Sequence, residues 1–244
     1  MAAFHYPRFF AHRGGGSLAP ENTLTGIALA ARLGYRAVEF DAMLSSDGVP
    51  VLIHDETLQR TTNGRGEVAG TAFADLRALD AGCRFHPAFT GTPLPTLAEA
   101  LDLCARLNLA ANVEIKPAAG LEVETAAAVA GLAAEHEAVL LSSFAPAALA
   151  AARMVAPQLA RALLCEEVPD NWQERLAALD CLALHCAARC VTPQLAAELA
   201  AAHIPWACYT VNHPEAAERL FALGASALFT DRLDLFADAR IAVS

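Results

Sequence analysis

Short apolar runs alternate with longer stretches whose apolar residues recur every three or four positions, and this rhythm covers most of the chain. Extended runs are predicted at 8–12, 36–44, 49–53, 111–116, 138–143, 160–165, 181–185, 206–211 and 226–230. Helical spacing falls between them, over 23–33, 97–107, 121–136, 146–154, 171–178, 193–202 and 213–223. The first helix carries Leu24, Ile27, Ala28 and Ala31 along one side, with an expected N-cap at Asn22 and a stop at Gly34. Thr96 and Glu99 have capping-box spacing for the helix at 97–107. Between 36–44 and 49–53 lies Ser45-Ser46-Asp47-Gly48, and Asp-Gly flanked by apolar runs predicts a hairpin. With Asp47 and Gly48 as its two turn residues, Ser46 pairs with Val49 and Asp41 comes to lie opposite His54.

Without the return arm of that hairpin, eight extended runs remain, nearly all separated by helices. This order predicts an α/β fold, a closed (β/α)8 TIM barrel forming one domain over 1–244. The competing open, doubly wound sheet would carry Gly-x-Gly-x-x-Gly after its first strand, and none is there. Residues 55–95 break the rhythm with TTNGRGEVAGT and GCRFHPAFTGTPLP, polar and rich in Gly and Pro. They are expected as a small inserted subdomain over one end of the barrel.

A chain of 244 residues, 55% hydrophobic and 18% charged, is long enough for a substantial core. Its formal charge of −10 argues against nucleic acid and against stable association with an anionic membrane. An anionic small molecule remains compatible, because a cation and a few basic side chains reverse the field inside a cleft. Residues 1–10 hold no run fit for a signal peptide, and no later stretch is long enough to span a bilayer. Seven scattered cysteines include no Cys-x-x-Cys, so free thiols in the cytoplasm are expected. Cys181, Cys186 and Cys190 around His185 match no zinc spacing. The sequence does not set the oligomeric state, and a homo-oligomer stays open.

Barrel enzymes work at the C-terminal ends of their strands. Those ends carry His12 and Arg13, Glu39 and Asp41, and Glu114 and Lys116, and each of the last two pairs shares one face. The three carboxylates suit Mg²⁺ or Ca²⁺ better than Zn²⁺. Arg13 and Lys116 offer positive charge to a phosphoryl group, and His12 and His54 permit one proton to be taken and another given. The turn at His12-Arg13-Gly14-Gly15-Gly16 is expected to present backbone N–H groups to an anion. Glu21 and Asn22 are read as structural. His185, at the end of the run 181–185, is an expected substrate contact, and the remaining histidines are read as surface or packing residues.

Taken in order, His12-Arg13-Gly14, Pro20-Glu21-Asn22-Thr23, Glu39-Phe40-Asp41, Asp47-Gly48, His54-Asp55, Arg60-Thr61, Asn63-Gly64, Glu114-Ile115-Lys116, Tyr209-Thr210-Val211-Asn212 and Thr230-Asp231 resemble the glycerophosphodiester phosphodiesterase family. The start at 4–10 and Leu184-His185 are similar to its bacterial cytoplasmic branch. The resemblance implies hydrolysis of glycerophosphodiesters, such as glycerophosphocholine and glycerophosphoethanolamine, to glycerol 3-phosphate and an alcohol. It further implies a divalent cation on Glu39, Asp41 and Glu114, with His12 and His54 as the acid–base pair. His12 is expected as base and His54 as acid. His54 as a cation ligand, and water or a glycerol hydroxyl as the attacking group, stay open. Where relatives often carry Trp this chain has Tyr209, an expected substrate contact, which puts substrate preference in question. A phospholipase-type relative acting on intact lipid fits poorly with the acidic charge. A barrel that binds without turnover would be expected to lack one of these histidines or carboxylates, and none is missing.

Overall fold

The computed structural model describes residues 4–236, and Met1 to Ala3, part of the stretch read as lacking a signal peptide, lie outside the described residues. Among the described residues nine strands form one sheet: β1 (Phe9–Ala11), β2 (Ala37–Leu44), β3 (Pro50–Leu52), β4 (Ala110–Ile115), β5 (Val139–Ser143), β6 (Ala160–Cys165), β7 (Ala183–Ala187), β8 (Trp206–Tyr209) and β9 (Ala227–Thr230). All but β3 run parallel, and β1 pairs with both β2 and β9, which closes the ring. The helices are α1 (Leu24–Arg32), α2 (Phe73–Arg77), α3 (Leu97–Leu107), α4 (Glu122–Ala133), α5 (Pro146–Val155), α6 (Trp172–Leu179), α7 (Pro193–Ala201) and α8 (Pro214–Ala222). Apart from α2, each sits between consecutive ring strands or, for α3, between β3 and β4, so the chain is a TIM barrel as its rhythm predicts. No helix among the described residues is long and apolar enough to cross a membrane.

An eight-stranded barrel must fill its interior with side chains. Here many inward positions are alanine, including Ala37, Ala160, Ala162, Ala183, Ala207 and Ala227. The space they leave is taken by Phe10 and Phe229, stacked at 4.9 Å, and by Phe4 and Tyr6 from the segment ahead of β1. That segment enters at the N-terminal end of the barrel and so leaves the opposite end open for chemistry. Outward-facing Val38, Phe40, Val113 and Leu141 pack with α-helical Ile27, Leu101, Val129 and Leu149 in the main apolar cluster. Desolvating these side chains contributes roughly 1.5–3 kcal/mol each.

Two local expectations need correction. The hairpin loop has three residues, not two. Ser45 N–H donates to Val49 O at 3.0 Å, and Gly48 takes φ +80° within the loop Ser46-Asp47-Gly48. The Ser45 hydroxyl donates to Asp47 Oδ1 at 2.6 Å, which tightens that loop. The register therefore moves by one: Ala42 pairs with Leu52, and Ile53 N–H donates to Asp41 O at 3.2 Å. One step exchanges the two faces of a strand. Ile53, not His54, lies opposite Asp41, and His54 reaches the site from the loop beyond β3. The second correction is at the start of α1. Thr23 is the N-cap, its Oγ1 accepting from Gly26 N–H at 3.1 Å, whereas Asn22 sits at φ +57° with its side chain on Asp41. The capping box of α3 forms as expected, with Thr96 and Glu99 each bonding the other's backbone.

The insertion after β3 builds a small core of its own. Met43, Val51 and Ile53 from the hairpin pack with Leu58, Val68, Leu76 and Leu94. All seven cysteines are free thiols.

Candidate active site

Eight of the expected residues line one cavity of about 310 Å³ at the C-terminal ends of the strands. These are His12, Arg13, Glu39, Asp41, His54, Glu114, Lys116 and Tyr209. His185 is not among them. β7 continues to Ala187, so His185 lies inside the barrel rather than at its mouth, with Nε2 2.9 Å from the Tyr6 hydroxyl. Burial pushes its pKa down to about 3, and the imidazole serves as packing, not as a substrate contact.

Glu39, Asp41 and Glu114 each bring a carboxylate oxygen to within 4.8 Å of the other two. Register explains this: Asp41 pairs with Glu114 across β2 and β4, and Glu39 stands two residues before Asp41 on the same inward face. Burial, with Asp41 as a neighbouring negative charge, pushes Glu39 up to about 7 and Glu114 up to about 8. Burial acts on Asp41 in the same sense, but Lys116, His54, Arg13 and the Asn22 hydrogen bond outweigh it and hold Asp41 low. Lys116 Nζ stands 3.6 Å from both Asp41 and Glu114. A cluster of hard oxygen donors whose own protein surroundings do not fully neutralise it fits a divalent cation.

Each imidazole is held through Nδ1. His12 Nδ1 lies 2.7 Å from Asp231 Oδ1, and its Nε2 is 3.8 Å from Glu39. His54 Nδ1 lies 2.7 Å from Asp55 Oδ1. A carboxylate only accepts, so each Nδ1 is the donor and each Nε2 is the nitrogen left to exchange a proton. The two environments differ in strength. Burial opposes charge on His12, yet the Asp231 hydrogen bond and Glu39 raise it above the ordinary value. For His54, burial prevails, helped by Arg13 and Lys116, and the net shift is downward. Asp231 is otherwise held by neutral Asn212, whereas Asp55 is shared with the Arg60 guanidinium at 2.5 and 3.0 Å.

Arg60 also bonds Glu21 at 2.7 and 2.8 Å, and Glu21 bonds Arg13 Nη1 at 3.1 Å. Glu21 thus ties the insertion to the first strand and braces Arg13. Asn22 braces Asp41, donating to Oδ2 at 2.8 Å and accepting from its N–H at 3.0 Å. The glycine turn does not present its N–H groups outward as expected. Arg13 N–H is taken by the Glu39 carboxylate at 2.9 Å, and those of Gly14, Gly15 and Gly16 by backbone carbonyls. Gly16 is needed for closeness: at φ +54°, an added Cβ would collide with the Asp231 carbonyl.

The sequence carries Asp231 within the motif Thr230-Asp231 but gives it no role. The role of Asp231 was implicit, since ring closure sets Ala11 beside Thr230 and therefore His12 beside Asp231. Asn112, Ser142, Phe144, Leu164 and Glu166 line the cavity with no motif to mark them.

A barrel mouth that gathers three carboxylates suited to a hard cation, an Arg and a Lys beside them, and two carboxylate-held imidazoles has the equipment of a hydrolase of phosphoric esters. The model of the glycerophosphoryl diester phosphodiesterase family matches residues 12–235. A glycerophosphodiester phosphodiesterase of Caldanaerobacter subterraneus subsp. tengcongensis is 33% identical over 226 residues, covering 91% of this chain and 92% of that one. The structure of an Oleispira antarctica phosphodiesterase in complex with the product sn-glycerol-3-phosphate superposes with a TM-score of 0.93 and 37% identity, covering 98% of each chain. A glycerophosphodiester phosphodiesterase from Agrobacterium tumefaciens gives a TM-score of 0.80 at 27% identity, over 95% of this chain and 99% of that one. The chain belongs to the glycerophosphoryl diester phosphodiesterase family.

Proposed function

We propose that the chain hydrolyses glycerophosphodiesters, glycerophosphocholine and glycerophosphoethanolamine among them, to glycerol 3-phosphate and an alcohol, with a divalent cation held by Glu39, Asp41 and Glu114. The observation that carries this reading is the carboxylate cluster flanked by two Nδ1-anchored imidazoles. When bound, Mg²⁺ or Ca²⁺ polarises phosphoryl oxygens as a Lewis acid. Arg13 and Lys116 balance the charge of the phosphodiester and of its transition state. Tyr209 and the hydrocarbon of Leu164 and Phe229 wall the cavity on the other side.

The two imidazoles divide the proton work. The sequence suggests His12 as base and His54 as acid, but the electrostatics favour the opposite division. His12, whose Nδ1 partner Asp231 is otherwise held by neutral Asn212, is the better holder of a proton for the departing alkoxide. His54, lowered and with its Asp55 partner partly neutralised by Arg60, is the better acceptor from the attacking hydroxyl. We place the enzyme in the cytoplasm, a reading supported by the seven free thiols.

The direct experiment is release of glycerol 3-phosphate from glycerophosphocholine, with and without chelator. Release that stops with chelator and returns with Mg²⁺ or Ca²⁺ is expected. Intact substrate after prolonged incubation of the cation-loaded enzyme would overturn the reading.

A further inference from the structure

The cavity has a second, chemically distinct wall across from the imidazoles. Phe144 and Tyr209 meet edge to face there, with ring centroids 5.9 Å apart. The Tyr209 hydroxyl donates to Cys165 O at 2.8 Å, which favours the ring position against the cavity. Beside the two rings stands the carboxylate of Glu166, which also lines the cavity. Arg189 grips Glu166 from outside through Oε1 alone, and Oε2 makes no hydrogen bond among the described residues. Behind that ion pair opens a further surface cavity whose charged lining is mostly acidic, with Glu167, Asp170 and Glu198 against Arg189. The charged groups on this side of the mouth are thus mostly acidic, in contrast to Arg13 and Lys116 on the side that would take the phosphodiester.

Two aromatic rings and a half-free carboxylate attract a primary or quaternary ammonium, through the ring quadrupole and direct charge pairing. An amine-bearing head group carries its cation a few bonds from the phosphorus, so one substrate places its anion and its cation on the two walls at once. We infer that Glu166, with Phe144 and Tyr209, forms an ammonium subsite that selects glycerophosphodiesters with amine-bearing alcohols over those with neutral ones. This rests on the hydrolase reading above and adds which end of the substrate lies against which wall.

The test compares wild type and Glu166→Gln on glycerophosphoethanolamine, glycerophosphocholine and glycerophosphoglycerol, the last having no cation. The ratio of kcat/KM for the amine substrates to that for glycerophosphoglycerol falls about 10-fold in the variant, carried by KM. An unchanged ratio overturns the subsite, whether the variant loses activity uniformly or not at all. Calorimetric titration with phosphoethanolamine and with methyl phosphate supplies a readout that needs no turnover. Wild type binds phosphoethanolamine more tightly than methyl phosphate, and Glu166→Gln loses that preference. An equal preference in both proteins sinks the inference even if no diester is hydrolysed, whereas a preference lost in the variant without turnover by wild type would count against the hydrolase reading alone.

Discussion

His12 Nδ1 and Asp231 Oδ1 lie 2.7 Å apart across 219 residues of sequence, because β1 and β9 are neighbours in the closed ring. The contact fixes which ring nitrogen is left to face the cavity and raises the affinity of that imidazole for a proton.

Asp231→Asn should therefore lower kcat/KM about 10²-fold, within the usual range for acid–base catalysis. The imidazole loses the partner that raises it, so an acid in this position deprotonates sooner and the alkaline limb of the pH profile moves down. A profile of kcat/KM against pH, at matched cation content, reads the shift. An unmoved limb would show that His12 is not the acid.

The division of proton work is tested with leaving groups. A nitrophenyl phosphodiester expels an anion that needs no proton, whereas choline alkoxide needs one. His12→Ala should cost about 10²–10⁴-fold on glycerophosphocholine and much less on the nitrophenyl ester. His54→Ala should damage both alike. The mirror-image result restores the division that the sequence suggests.

Cation binding should be linked to protons. Burial and the neighbouring Asp41 charge push Glu39 up to about 7 and Glu114 up to about 8 in the cation-free folded chain, above their ordinary value of 4.5. Folded pKa values that are raised mean the folded state holds more protons than the unfolded one between those limits. Their stabilising contribution is complete below about pH 4.5 and is lost progressively from there until pH has risen through about 7 to 8. The cation-free Tm should fall across that window, and Mg²⁺ or Ca²⁺ should raise it most at the alkaline end. Thermal melts with and without chelator decide; a cation increment that shrinks with rising pH would contradict the assignment.

Glu114→Gln separates the two roles of that carboxylate. Without cation the variant should melt higher than wild type above pH 8, since a repelled buried charge is gone. Its cation-induced increment in Tm should be smaller, and excess cation should recover part of the rate. A lower cation-free Tm would mean Glu114 is needed for packing.

Asn22 should be replaced in two ways. Asn22→Gly removes both bonds to Asp41 while tolerating φ +57°, and should cost about 1.5–3 kcal/mol in urea unfolding. Asn22→Ala should cost about 1 kcal/mol more, for a Cβ in the left-handed region. Both should weaken cation affinity, and wild-type affinity in Asn22→Gly would remove the bracing role.

The barrel was legible because parallel strands buried on both faces read as apolar runs, and their helices carry a clear second period. The carboxylates and Lys116 were legible because spacing of two residues fixes a common face. What sequence periodicity does not encode is loop length to the single residue. Asp-Gly favours a two-residue turn, but the Ser45–Asp47 hydrogen bond holds a three-residue one and shifts His54 off the ladder. Strand ends are as weakly marked. Nothing in Leu184-His185-Cys186-Ala187 shows that β7 runs two residues past His185, and this decides between mouth and interior. Asn22 looked like a cap because it precedes a helix, and only the nearness of Asp41 in space reveals its other use.

Ring closure between β1 and β9 also has a meaning in time. A chain leaving the ribosome releases β9 after every other strand, and until β9 docks, β1 has an open edge and His12 has no carboxylate. The carboxylates of β2 and β4 thus precede, in order of synthesis, the carboxylate that anchors the imidazole of β1. The pair of carboxylate-held imidazoles is therefore complete only once the last strand is in place.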